Sequence, residues 1–202
     1  MPGSLDGQLL LAKAHFLRCD FDTALRCCSI CTKADPAFSS AALLQAQILL
    51  RSDNYKQAHS VLEQALSHNF SVRESPVFHL AKARVLQTQG EEEEALRVLE
   101  TALSLPGVQS SDQGRFAAVP VELSAFDRCS VFVLMVEVQL ELKRIGQAKT
   151  LLERAIFEFS GSTQVRSSIR PAQLHILDFE VPQDEKSLFP SRTGGPHHNC
   201  EC

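Results

Sequence analysis

The chain has 202 residues, 44% of them hydrophobic, and a net charge of −4 at neutral pH. That is enough apolar material for a sizeable core and too little positive charge for a nucleic-acid surface. No basic, apolar and small-residue run of the secretory type follows Met1, and no apolar run approaches the roughly 18 residues of a membrane span, so an intracellular protein is expected. Seven cysteines, with Cys27, Cys28 and Cys31 close together, suit a reducing compartment better than a disulfide framework.

Residues 1–7 contain Pro2, Gly3 and Gly7 and predict a short lead without a capping helix. From Gln8 the pattern becomes helical. Leu9, Ala12, Phe16 and Cys19 fall on one helix face, and Ala24, Leu25, Cys28 and Cys31 fall on a second. The turn from Cys19 to Phe21 separates them. Asp20 and Asp22 can accept hydrogen bonds from the first free N–H groups of the second helix, and Pro36 cannot continue it. This helical hairpin has a frame: Ala24 as reference, Ala12 before it, Cys31 and Pro36 after it.

The frame returns downstream. Ala46, Ala58 and Ala65 mark a second hairpin, 34 residues on, from Ser39 to Phe70 with Ser52, Asp53 and Asn54 as its turn. Ala83, Ala95 and Ala102 mark a third, starting near Ser75 and Pro76, with Gly90 between its helices. Glu91 to Glu94 opens that hairpin's second helix and reads as a solvated helix start favoured by the helix dipole, not as a recognition patch. The next reference residue, Ala148, stands 53 residues after Ala95, which predicts a loop insertion at 105–122. Arg115, Phe116 and Val119 are its candidate partner anchor. Val136, Ala148 and Ala155 mark the fourth hairpin, whose first helix, Ser130 to Leu142, is apolar enough to be central. Small residues at fixed places let helices approach closely, so these marks are expected to be packing positions.

After the fourth hairpin the frame stops. Leu151, Leu152, Ile156 and Phe159 then form an uncovered apolar face and a candidate partner surface. Residues 163–180, broken by Pro171, predict an irregular partial cap, and 181–202 predict a disordered tail.

This frame resembles the tetratricopeptide repeat over about residues 8–162. The resemblance implies an all-α, right-handed superhelical solenoid of about four helical hairpins with a disordered C-terminal tail. The family's leading Trp is replaced by Gln8, Ala42, His79 and Phe132, and its terminal Pro is in register only at Pro36. Among such proteins, LLLAKAHFLRCDFDTALRCCSICTKADPAFSSAALLQAQILLRSDNYKQA and QAKTLLERAIFEFSGS look like an internal stretch of the tetratricopeptide repeat protein 21 family. That family supplies the large repeat subunit of intraflagellar transport complex A. The resemblance implies a scaffold for retrograde transport and cilium assembly, with other subunits of that complex as partners, in the cytoplasm at the cilium or its base. Beyond about Arg166 the sequence departs from the family, so a truncated or alternatively spliced form is expected.

No catalytic set can be assembled. His15, His59, His68, His79 and His175 are scattered, and neither a nucleophile elbow nor a phosphate loop occurs. Cys27, Cys28 and Cys31 lack paired CxxC spacing and fall on core positions, while His197 to Cys202 can chelate only adventitiously. No cofactor or metal is expected. The alternative function is a co-chaperone adaptor that clamps a partner's C-terminal carboxylate. Its clamp positions hold Leu9, Lys13, Leu44, Val77 and Ala81, which cannot satisfy a carboxylate, so the scaffold reading leads.

Overall fold

The computed structural model describes residues 4–105, 125–159 and 169–171. These form α1 (Leu5–Leu17), α2 (Phe21–Ala34), α3 (Ser39–Arg51), α4 (Tyr55–His68), a 3-10 turn (Phe70–Glu74), α5 (Pro76–Gln89), α6 (Glu92–Ser104), α7 (Ala125–Glu141) and α8 (Ile145–Glu158). The insertion beyond Leu105, most of 163–180 and the predicted tail lie outside the described residues.

Each hairpin turns in the same way. Cys19, Asp53, Gly90 and Lys143 adopt left-handed backbone conformations, with φ of 60°, 55°, 79° and 57°. Each stands five residues before its hairpin's reference alanine. The following N–H, of Asp20, Asn54, Glu91 or Arg144, reaches back five residues to His15, Leu49, Leu86 or Gln139 at 2.8–3.0 Å. This is the Schellman closure, which satisfies carbonyls that a helix end leaves free. Only one of the four residues is glycine, so three turns hold a side chain where L-residues are strained. The second helices of the first two hairpins then begin on side-chain caps: Asp20 Oδ1 accepts from Thr23 N at 3.3 Å, and Asn54 Oδ1 from Gln57 N at 3.4 Å.

Packing repeats along the chain as well. Every core cluster joins one hairpin to the first helix of the next. Counted back from the reference alanine by seventeen, fourteen and ten, Ala41, Leu44 and Ile48 of α3 pack against hairpin one. Phe78, Ala81 and Val85 of α5 do the same against hairpin two, and Val131, Leu134 and Val138 of α7 against hairpin three. None of these nine is more than 5% exposed. Other residues of the same helices face forward, such as Ala46 and Leu49 of α3 or Phe132 and Val136 of α7. A first helix is thus buried on two faces, which explains why α7 is apolar nearly all round, while second helices keep a polar side.

The frame residues sit at the closest approaches: Ala12, Ala24, Cys31, Ala46, Ala58, Ala65, Ala83, Ala95, Ala102, Val136, Ala148 and Ala155 are all buried, whereas Pro36 is exposed in the turn after α2. Ala58 and Ala95 are 37 residues apart, and the extra length is taken up by the 3-10 turn. Its Val72 enters the hairpin-two core at 2% exposure.

Three expectations need correction. α1 starts at Leu5, inside the predicted lead, because Ser4 Oγ accepts from Gly7 N at 3.1 Å and caps it. Cys19 does not extend the face of α1, since it is the exposed left-handed residue of the turn. The apolar face of α8 is also not open: Leu152 and Phe159 are 6% and 4% exposed. Phe159 packs edge-on against Phe132 at 5.8 Å, and Ile169, itself buried, joins them. Ile169 takes the place that the next first helix takes in the other clusters. Leu151 is partly buried, and only Ile156 of the predicted face stays exposed, at 37%.

Candidate partner-binding surface

First helices of neighbouring hairpins touch one another, α1 with α3, α3 with α5 and α5 with α7, and second helices make no comparable contact with one another. Crowding along one side curves the stack, so the first helices line its concave side. A groove of about 750 Å³ lies there among the described residues. Phe16 and Leu17 of α1, Leu50 of α3, Tyr55 of α4, and Val77 and Leu80 of α5 give it apolar walls, with Arg51, Asp53 and Arg84 at polar points. Leu17 is 82% exposed, a large apolar side chain held out to solvent at the groove's end.

Toward α7 the groove turns polar. Arg84 Nη1 donates to Glu137 Oε2 at 2.6 Å and to Gln87 Oε1 at 3.0 Å, and Gln87 Nε2 donates to Glu141 Oε1 at 2.8 Å. This ladder ties α5 to α7 across the insertion and leaves the apolar stretch over α1, α3 and α5 open. Beside the groove, the Tyr55 hydroxyl donates to Asp53 at 2.7 Å, a hydrogen bond that raises the phenol above its ordinary pKa. The acidic run at the start of α6 is more than a solvated helix start. Glu93 accepts from Arg144 of the next hairpin, and Glu94 pairs with Arg97 at 3.0 Å within α6.

The other sequence candidates are dispersed. Leu9, Leu44 and Ala81 are buried in the core, so of the clamp positions only Lys13 is exposed and only Val77 and Ala81 border the groove. His15 Nδ1 lies 3.0 Å from Asp20 Oδ2, and His79 Nε2 lies 2.7 Å from the Arg73 carbonyl, with burial lowering the imidazole's pKa. Burial pushes the Cys28 thiol up to about 12 and Cys129 up to about 11, so both stay protonated and are poor ligands or nucleophiles at neutral pH. Among the described residues no group of three or more His, Cys, Asp or Glu is placed to hold a metal ion. Nor is any helix there long and apolar enough to cross a membrane. Sequence reasoning missed the groove because its walls come from one or two side chains on each of several helices, and only the spacing of exposed apolar residues between frame positions pointed to it.

Stacked helical hairpins with an apolar concave groove define a tetratricopeptide-repeat solenoid, a scaffold that binds other proteins. Two solved structures share the fold: one titled for pilF of Pseudomonas aeruginosa, with a TM-score of 0.62 at 19% identity over 96% of this chain and 78% of that one, and MamA, with 0.56 at 15% identity over 97% and 100%. Two family models match the sequence, "Tetratricopeptide repeat protein 21 second ARM domain" over residues 1–53 and "Tetratricopeptide repeat protein 21 ARM repeat" over 70–181. The chain belongs to the tetratricopeptide repeat protein 21 family. It is 35% identical to mouse tetratricopeptide repeat protein 21B over 98% of its own length, and 32% identical to the human protein over 90%. It spans 15% and 14% of those relatives. The departure expected after Arg166 is not found, since the family match continues to residue 181 through a stretch where Pro171 obscures the helical pattern. The two models meet within the second hairpin, where α3 and α4 share one unbroken core.

Proposed function

We propose that this chain is a non-enzymatic scaffold segment for retrograde intraflagellar transport and cilium assembly. It acts in the cytoplasm at the cilium or its base and packs against other subunits of intraflagellar transport complex A. Family membership across most of the chain supports the transport role. The observation that carries the mode of binding is the apolar stretch of the concave groove, which suits the side chains of a partner segment and offers no basic clamp for a terminal carboxylate. Binding there removes Leu17, Leu50 and Leu80 from water, each worth roughly 1.5–3 kcal/mol when fully buried.

Copurification from ciliated cells tests this reading, with bound proteins identified by mass spectrometry. The chain should recover complex A subunits, and Leu50→Asp together with Val77→Asp should reduce that recovery without unfolding it. Recovery of chaperones in their place would support the adaptor alternative.

A further inference from the structure

We propose that the outer face of α1 docks the terminal second helix of another helical-repeat chain. The repeat itself says what belongs there. Fourteen residues before each reference alanine stand Leu10, Leu44, Ala81 and Leu134. The last three, each pressed against a preceding hairpin that carries a second helix, are at most 5% exposed, and Leu10 is 66% exposed. Its seam neighbours, Gly7 and Ala14, are exposed too, where their counterparts in α3, α5 and α7 are buried. α1 thus carries the seam that three other first helices use, and no described residue fills it.

The seam fixes the occupant's chemistry. In α2, α4 and α6 the helix that meets it presents Ala at the reference position, Cys28, Leu62 or Leu99 four residues on, and a small residue seven on, with no charge on that face. An amphipathic helix with this frame fits; a charged or extended segment does not. A second copy of this chain is a poor donor. Its last described second helix, α8, already has Leu152 and Phe159 covered by Ile169. The fitting partner is a different repeat chain whose last hairpin lacks such a cover.

The test uses the full chain and two designed arrays, each three hairpins of the 34-residue type, one ending on a bare second helix and one closed by a polar capping helix. Titration calorimetry should show binding of the bare array and none of the capped one. Leu10→Glu should weaken that binding by about tenfold or more, because a carboxylate cannot be buried in the seam. Ala14→Arg should do the same, and both variants should keep the thermal midpoint of the parent chain. Equal binding of the two arrays, no binding of either, or binding indifferent to Leu10→Glu would overturn the proposal. Self-association of the chain relieved by Leu10→Glu would assign the face to a second copy and overturn it equally.

Discussion

The two ends of the solenoid present the same kind of problem and meet it differently. At the C-terminal end, the forward face of α8 is closed by Ile169, which packs with Leu152 and Phe159. At the N-terminal end, Leu10 and Leu17 of α1 remain 66% and 82% exposed on a helix whose internal counterparts are sandwiched. A repeat fold leaves an apolar face at each end, and one well-placed side chain can close one of them. Which end is open therefore depends on residues outside the frame.

The sharpest way to test that contrast is one substitution at two places in the same register. Leu134→Ala removes a fully buried side chain between hairpins three and four and should cost about 2–5 kcal/mol in chemical denaturation. Leu10→Ala should fall within about 0.5 kcal/mol of the parent. Comparable losses would mean that the α1 seam is filled in solution. The C-terminal end is probed by Ile169→Ala, expected to cost about 2 kcal/mol, at the low end for a core truncation because Ile169 meets a terminal helix. Hydrogen exchange should accelerate in α8 and not in α3; unchanged α8 protection would show that Ile169 is not its cover.

Between the ends, the frame alanines leave no spare volume. Ala58→Leu forces extra carbons between α3 and α4 and should cost on the order of 1–3 kcal/mol, read as a lowered melting temperature. Gln139 should respond in the opposite sense. It is buried at the register position of Leu49 and Leu86, and its Oε1 has no hydrogen-bond partner. Gln139→Leu should stabilise by about 1 kcal/mol, and a loss would reveal a partner for that oxygen. The smallest effects are expected in the turns. Gly90→Ala should cost about 1 kcal/mol at its φ of 79°, whereas Lys143→Gly at the equivalent turn should gain somewhat less.

Much of this architecture was written in periodicity. The three-and-four spacing around Ala24, Ala58, Ala95 and Ala148 fixed the four hairpins, and Pro76 and Gly90 placed boundaries that the helices respect. The groove was far less legible, since Phe16, Leu50 and Leu80 look in sequence like ordinary apolar residues of half-buried helices. The 3-10 turn was missed for a related reason: Val72 is a single apolar residue in a polar stretch, and nothing local says that it will be buried.

By itself the sequence determined the repeat, its register and its class, because a side chain's position on a helix follows from the 3.6-residue period alone. Only the tertiary structure decided which face of each helix meets which neighbour. It also decided that four residues in register share one left-handed turn, three of them without glycine's freedom, and that Ile169 closes the C-terminal face while α1 stays bare. Those outcomes rest on contacts between residues far apart in the chain, where burial is set by what a neighbouring helix supplies and local pattern carries no record of it.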